Sequence, residues 1–156
     1  MSAVPSLEIL QGQEKRVRLN HFGFGSAWTL GQAIRNRAAS ENMPVAIEVY
    51  AFGQVLFSAA LSGSSIENME WVARKRNTTL RNGRASLYTG LLNEAAGQRM
   101  DEMTYIDQQR YTDHGGSVPL LLVGGGVIGA VTVSGLPAHE DHALALWGIE
   151  QILLPV

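Results

Sequence analysis

The sequence GGSVPLLLVGGGVIGAVTVSGLP, residues 115–137, determines the fold class of this chain. It holds two β-prone runs, residues 118–123 and 127–133, separated by three consecutive glycines. Glycine accepts the positive φ angles of tight turns, so the segment predicts an antiparallel hairpin. Its GGGVIG also fits the GxGxxG pattern of dinucleotide-binding proteins, which requires a helix after the glycines. Because a β-prone run follows instead, we expect a structural turn and no nucleotide cofactor.

Outward from this hairpin, the remaining chain alternates between strand and helix patterns. Val45, Ile47 and Val49 alternate with less apolar residues, and residues 55–61 form a further β-prone run after the turn residues 51–54. Val17 and Leu19 give a weak additional strand signal. Helix patterns cover residues 1–15, 26–42 after an N-cap at Ser26, 66–82 after a capping box at 64–67 with a stop at Gly83, 85–97, and the segment opened by His139. This order predicts one α+β domain over residues 1–156, with about five antiparallel strands and helices packed on them.

Composition and charge exclude several protein classes. The 156 residues are 46% hydrophobic and 17% charged, which is typical of a globular protein. A net charge of −2 argues against a nucleic-acid partner. The lack of cysteine excludes disulfides, thiolate catalysis and iron–sulfur clusters. No apolar run reaches the ~18 residues of a membrane span, and no signal-peptide pattern opens the sequence, so we expect a cytoplasmic protein without a membrane partner.

A basic segment is the strongest charge feature. Residues 74–84 carry five cations and no acid, although the whole chain is at −2. Arginine suits bidentate recognition of carboxylates or phosphates, and Trp71 lies one helical turn before Lys75, where its ring can stack on the cation. The segment therefore predicts a site for an anionic ligand, such as a polycarboxylate or the propionates of a tetrapyrrole. A solvated helix face, or ion pairs between subunits, explains it equally well.

A polar, aromatic segment precedes the hairpin. It contains Asp107, Asp113 and His114, and an imidazole next to a carboxylate can act as an oriented acid–base pair. A loop held by Asx turns and stacked rings is the structural alternative, and the one we favour. The candidate ligand-binding residues from both segments are Trp71, Arg74, Lys75, Arg76, Arg110, Tyr111 and His114.

Histidines at the start of the last helix offer a candidate metal site. His139 and His142 are three residues apart and so share a helix face, and His114 or His21 can supply a third ligand. The structural interpretation, which we favour, is a set of polar residues that cap and solvate the helix end.

Several motifs together resemble a known family. They are HGGSVP at 114–119, GVIG at 126–129, VSGLP at 133–137, DH at 141–142, PVAI at 44–47, LF at 56–57, and NMEW at 68–71 followed by RKR at 74–76. The set is similar to the small haem-degrading-domain family, also called HbpS/GlcG-like, and to its branch of stand-alone small proteins, over residues 7–153. The resemblance implies a profilin-like α/β sandwich and homo-oligomers. Some relatives bind haem or related tetrapyrroles, and some degrade haem or bind iron, but no catalytic set carries over.

Three functions are open at this point. The first is an oligomeric small-ligand-binding module, with haem or another anionic tetrapyrrole among its ligands. The second is a non-catalytic interaction scaffold, an analogy drawn from the fold alone. The third is an enzyme of oxidative haem breakdown or of metal-assisted chemistry. The cofactor is unknown, and without cysteine any haem iron needs His, Tyr, Met or water as its axial ligand.

Overall fold

The computed structural model describes residues 3–153, which form five α-helices, one short 3₁₀-helix at Met100–Glu102 and four β-strands. The helices are α1 Leu7–Arg16, α2 Phe24–Ser40, α3 Ile66–Asn82, α4 Ser86–Ala95 and α5 Ala138–Leu153. The strands are β1 Ala46–Ala51, β2 Gln54–Ala60, β3 Ser117–Leu121 and β4 Val127–Ser134. The predicted α+β order is confirmed, with element ends displaced by a few residues. The first helix begins only at Leu7, and residues 1–2 of its predicted range lie outside the described chain.

One antiparallel sheet in the order β2–β1–β4–β3 organises the described chain. Both predicted hairpins are present, and β4 joins them by pairing with β1. The glycines at 124–126 lie in the turn between β3 and β4, so a strand and not a helix follows them, as expected.

The expected fifth strand is wrong. Residues 17–20 form only an isolated bridge between Leu19 and Leu122, in which the Leu19 N–H donates to the Leu121 carbonyl over 2.8 Å. Val17 and Leu19 are nevertheless buried, so the alternation correctly indicated burial although no strand forms here.

Local signals at turns and helix ends explain most of the boundaries. Phe52 and Gly53 both have positive φ, at 56° and 79°, as a two-residue type I′ hairpin turn requires. Gly83 ends α3 in the left-handed conformation with φ 67°, as predicted. The capping box of α3 is displaced by one residue, because the Ser65 N–H donates to Asn68 Oδ1 over 2.9 Å.

The N-cap assigned to Ser26 is also wrong. Gly23 is the N-cap of α2, and Ser26 lies one turn inside the helix. There its hydroxyl accepts a hydrogen bond from the Gly23 N–H over 3.2 Å. The predicted helix start lies too far along the chain, because Ser26 caps α2 from position N3 and not from the N-cap position.

The first face of the sheet, which we call the apolar face, is covered by α2 and α5. Alternate strand residues such as Ile47, Val49 and Val131 are fully buried against Leu30 and Ile149 of these helices. The last helix, α5, packs on β3, β4 and α2. None of the helices between residues 3 and 153 has both the length and the hydropathy needed to cross a membrane.

The second face, which we call the polar face, is covered by α3. Here several of the intervening strand residues are polar and are held by hydrogen bonds, although others, such as Ala46 and Ala130, are apolar. Thr132 Oγ1 donates to Ser117 Oγ over 2.9 Å, and Thr79 Oγ1 donates to the Ser117 carbonyl over 3.2 Å. The Ser117 N–H in turn donates to Ser86 Oγ over 3.1 Å, so these buried polar groups are paired.

Candidate functional site

The basic segment 74–84 does not form one surface, because successive residues of α3 are rotated by about 100°. Arg76 turns toward the sheet, where its Nε lies 2.9 Å from Glu48 Oε1. Its guanidinium also lies 4.4 Å from the centroid of the Tyr50 ring. Arg76 therefore supports the polar face, although the sequence made it a candidate for ligand binding.

Two further cations of the segment are neutralised inside the chain. Lys75 Nζ lies 3.1 Å from Asp141 Oδ2, and both side chains are buried. Arg84 Nε lies 2.9 Å from Glu14. These acids are 66 and 70 residues away in sequence. The absence of acids within the segment therefore did not indicate unbalanced charge.

A cleft of about 650 Å³ opens between α3, α4, residues 98–101 and residues 112–115. Leu87 and Leu91 of α4 and Met100 of the 3₁₀-helix contribute apolar surface to it. Its polar and aromatic surface includes Trp71, Arg74 and His114. The other charged residues of the lining are Glu94, Arg99, Asp101 and Asp113. The structure thus brings three of the seven sequence-predicted ligand candidates together at one concave site.

Trp71 is the centre of a stacked group on the wall of this cleft. The His114 ring lies nearly parallel to it, with centroids 4.8 Å apart and an interplanar angle of 23°. The Arg74 guanidinium carbon lies 4.4 Å from the Trp71 ring centroid. The expected stacking of Lys75 on Trp71 is wrong, because Arg74 takes that position while Lys75 turns inward to Asp141.

Arg74 differs from Lys75 and Arg76 of α3, because it forms no ion pair within residues 3–153. Arg81 also lacks an ion pair there, but only Arg74 has an Nε that is buried without a hydrogen-bond partner in that range. A buried N–H left without a partner costs about 1–3 kcal/mol, so few native groups are left this way. Arg74 is therefore a pre-positioned cation at the cleft whose donor is not satisfied by the protein.

The acid–base pair considered for His114 is not formed. Asp113 Oδ2 accepts a hydrogen bond from Asn93 Nδ2 over 3.0 Å, and Asp107 Oδ1 accepts one from the Gln109 N–H. The latter is an Asx-type contact that closes a turn. The structural alternative, a loop held by such turns and by stacked rings, describes residues 105–114.

Arg110 and Tyr111 lie beside the cleft and not among the residues that line it. The Arg110 carbonyl accepts a hydrogen bond from Asn77 Nδ2 over 2.9 Å, which ties the loop to α3. The Tyr111 ring lies under two guanidinium groups, with Arg81 at 5.0 Å and Arg110 at 5.5 Å from its centroid. The two residues therefore fix the loop that presents His114.

The candidate histidine metal ligands are not assembled into a site. His142 is buried and its Nε2 lies 2.8 Å from Gln13 Oε1 of α1, whereas His114 stacks on Trp71 and His139 lies at the start of α5. Burial lowers the pKa of His142 to about 4, so the ring is neutral, and its Nδ1 is buried without a partner. Within residues 3–153 no group of three or more His, Cys, Asp or Glu side chains is placed to hold a metal ion.

A smaller cavity of about 270 Å³ adjoins the cleft and shares Trp71, His114 and Ala138 with it. The buried Lys75–Asp141 pair lies in its wall. Burial lowers the pKa of Lys75 and raises that of Asp141 to about 6, against the opposing effect of each charge on the other. Burial therefore favours the neutral form of each group, and the contact between them favours the charged forms.

Sequence reasoning missed Asp141 and the α4 wall of the cleft. Asp141 lies in the first turn of α5, where its Oδ1 accepts a hydrogen bond from the Leu136 N–H over 2.9 Å. Its pairing with Lys75 depends on how α5 lies against α3, which no local pattern encodes. Leu87 and Leu91 follow a helical spacing that indicates burial and says nothing of a neighbouring cleft.

Comparison with known proteins identifies the family. The protein-family model described as "Haem degrading protein HbpS-like" matches residues 22–150. The chain belongs to the HbpS-like family. A relative named UPF0303 protein, from Psychromonas ingrahamii, is 40% identical over 151 residues, which cover 97% of this chain and 95% of the relative.

Solved structures agree with this assignment for the HbpS-like chain. The crystal structure of Ybr137w protein has a TM-score of 0.83 and 34% identity, and the match covers 94% of this chain and 88% of that one. A crystal structure titled as the PduOC–haem complex has a TM-score of 0.71 at 19% identity, with 83% and 93% coverage. At that identity the second likeness shows the fold alone.

Proposed function

We propose that this HbpS-like chain binds a planar anionic ligand of the tetrapyrrole class, haem included, in the Trp71 cleft. The observation that carries the proposal is Arg74, a cation without an ion pair in the described chain, whose buried Nε is unsatisfied at the cleft wall. A ligand carboxylate supplies the acceptor that the protein does not. Charge-assisted hydrogen bonds of this kind are among the stronger polar contacts in proteins.

The shape and lining of the cleft support a flat, largely apolar ligand. A volume of about 650 Å³ lies within the ~300–1,000 Å³ of small-molecule sites. Leu87, Leu91 and Met100 offer apolar contact, and the stacked Trp71 and His114 rings offer a flat aromatic edge. The apolar and aromatic part of this lining suits a macrocycle, and Arg74 offers a contact for one of its acidic substituents.

Haem fits the donor atoms at this site. His114 is exposed and lies at the cleft, and Met100 contributes a thioether, so the chain has axial-ligand types that iron accepts. When bound, haem supplies a redox-active iron, while the chain's own residues hold the propionates, cover the macrocycle and offer the imidazole. The PduOC structure, a relative by fold, was solved as a haem complex.

A haem titration tests the proposal. Addition of haem to the purified protein should give a saturable Soret shift at micromolar concentration. His114→Ala should move the position of the Soret band, whereas His21→Ala, which changes an exposed histidine that does not line the cleft, should not. No saturable shift would contradict haem binding, and equal spectra for both variants would exclude His114 as the iron ligand.

We also propose that the protein is a homo-oligomer that uses its aromatic surface around β2. Phe24, Trp28 and Phe52 are exposed by 63%, 59% and 50%, and β2 is an edge strand with an unpaired side. Large exposed apolar patches mark interaction surfaces.

Two variants test this proposal. Trp28→Ser should reduce the mass measured by light scattering, while Arg74→Ala should weaken anionic-ligand binding and leave the oligomer intact. A dissociated Arg74→Ala variant would instead make the basic segment an interface.

We also propose that the protein is cytoplasmic. The chain has no cysteine, and small secreted domains commonly depend on disulfides. Fractionation of cells that express the protein at native level, with detection in the cytoplasmic fraction, checks this.

A further inference from the structure

The smaller cavity contains chemistry that tetrapyrrole binding does not use. Lys75 and Asp141 border it, with Ser134 and Asn68 contributing further polar surface. Lys75 is only 4% exposed and Asp141 only 1%, and Lys75 Nζ has just two hydrogen-bond acceptors in the described chain, Asp141 Oδ2 at 3.1 Å and the Val133 carbonyl at 3.2 Å. A buried amine next to a carboxylate is thus presented to a space large enough for a small molecule.

The choice of lysine at this position is informative. Of the twelve Lys and Arg residues in the chain only two are lysines, Lys15 and Lys75. The other cations of α3, such as Arg74 and Arg76, are arginines, which do not lose their proton in proteins. Lysine is the cation that becomes an amine nucleophile when desolvated, and burial lowers the pKa of Lys75. The one cation that adjoins both the small cavity and a buried acid is therefore the one that can become nucleophilic.

We propose that Lys75 forms an imine with small carbonyl compounds, aldehydes or α-keto acids, that enter the 270 Å³ cavity. The geometry assigns Lys75 as the nucleophile and Asp141 as its proton acceptor, since their polar atoms are 3.1 Å apart. The Leu136 N–H, which donates to Asp141 Oδ1 over 2.9 Å, holds the carboxylate in place.

The chemistry balances with water as the sole by-product. The Lys75 ammonium passes a proton to the Asp141 carboxylate, and the free amine adds to the carbonyl carbon to form a carbinolamine. Asp141 then returns its proton to the departing hydroxyl group, which leaves as water. The C=N bond replaces the C=O bond, and the product is a protonated imine on Nζ. No oxidant, reductant or metal takes part.

This inference is independent of the tetrapyrrole proposal, because it concerns a different cavity and a different residue. A structural role alone, in which Lys75 only ties α3 to α5, predicts an amine that resists modification. The two interpretations therefore differ in the reactivity of Nζ in the folded protein.

The experiment uses the wild-type protein under native conditions. Pyruvate or propionaldehyde is added at neutral pH with cyanoborohydride, which reduces an imine to a stable secondary amine, and peptide mass mapping gives the occupancy at each lysine. Lys15 is exposed and provides the internal control. Burial lowers the pKa of Lys75, which raises its free-amine fraction at neutral pH, and Asp141 lies within 3.1 Å to take its proton. We expect Lys75 to be labelled at least several-fold faster than Lys15, and the difference to vanish in urea.

Two variants complete the test. Asp141→Asn keeps the side-chain shape but removes the proton acceptor and donor of the reaction. It should slow labelling of Lys75 about tenfold relative to Lys15, although it also removes the charge that raises the Lys75 pKa, and circular dichroism checks its folding. Lys15→Arg, the matched control, should leave Lys75 labelling unchanged. Labelling of Lys75 at or below the rate of Lys15 in the folded wild-type protein overturns the proposal, whether or not haem binds.

Discussion

The two faces of the sheet are built on different physical principles. On the apolar face, α2 and α5 bury alternate strand residues such as Ile47 and Val131 by close packing. On the polar face, α3 covers Glu48, Ser117 and Thr132 through hydrogen bonds and ion pairs. Apolar burial is non-directional and tolerates repacking, whereas a polar interface is stable only if each buried group finds its partner.

This difference explains where the candidate site lies. In residues 3–153 the buried side-chain polar atoms without a partner are Arg74 Nε and His142 Nδ1, and neither belongs to the apolar core. Unsatisfied groups of this kind are expected at functional sites, where local stability is given up for binding. Of the two, Arg74 lines the cleft and His142 does not. The apolar face therefore supplies stability, and α3, which covers the polar face, contributes Trp71 and Arg74 to the cleft.

The largest expected effect on stability comes from a substitution on the apolar face. Ile34→Ala, at a fully buried position of α2, should lower the free energy of unfolding by about 2–5 kcal/mol, because it removes buried methyl groups and leaves a cavity. Urea denaturation followed by circular dichroism measures it. Val55→Ala, on the exposed side of β2, is the control and should change stability by less than about 0.5 kcal/mol. A loss below about 1 kcal/mol for Ile34→Ala would show that this face is not the main source of stability.

The next largest effect concerns His142 of α5, which contacts Gln13 of α1. Its folded pKa of about 4 lies below the ordinary value of 6.5, so between these values the unfolded chain binds a proton that the folded chain does not. Stability from His142 is therefore full above about pH 6.5 and falls as the pH drops toward 4. At pH 4.5 the loss should reach about 2–3 kcal/mol, relative to pH 7.

Asp141 acts in the opposite sense over a similar range, since its raised pKa lets the folded chain take up a proton first. The difference between the wild type and His142→Gln isolates the histidine. The wild type should lose about 2–3 kcal/mol more than His142→Gln between pH 7 and 4.5. His21→Gln should follow the wild type. Parallel profiles for wild type and His142→Gln would mean that the ring is not held neutral.

A smaller effect is expected at the ion pair of the polar face. Glu48→Gln or Arg76→Gln should each cost about 1–2 kcal/mol, because the pair is largely buried and hydrogen-bonded. The double variant should cost less than the sum by about 1 kcal/mol, since neither partner is then left without the other. Urea denaturation of all four proteins gives the coupling. Strict additivity would show that the two side chains do not depend on each other.

The sequence predicted the fold better than the site. Periodic burial located both hairpins and the helices, because those signals are local. The extra strand was expected from Val17 and Leu19, whose alternation reflects burial without a continuing ladder. On α3, the helical spacing showed that Trp71 shares a face with a cation. Which cation stacks on it depends on how α3 is oriented against the sheet, and that cation is Arg74.

The site could be predicted only in part, because its charged residues pair with residues that are distant in the sequence. Lys75 and Arg84 were counted as one basic cluster, and their acidic partners Asp141 and Glu14 come from α5 and α1. No local pattern reveals a partner 66 or 70 residues away. The α4 wall of the cleft was missed for the same reason.

The most direct test of the binding account compares two arginines that each stack on a tryptophan. Arg74 lies over Trp71 at the cleft, and Arg37 lies over Trp147 on the other side of the sheet, where it also pairs with Glu41. The measurement is the Kd of protoporphyrin IX by fluorescence titration for the wild type, Arg74→Gln and Arg37→Gln. A lost charge-assisted contact of about 1.5–3 kcal/mol predicts about 10–100-fold weaker binding for Arg74→Gln and an unchanged Kd for Arg37→Gln. Equal Kd values for Arg74→Gln and the wild type would contradict the assignment of the cleft.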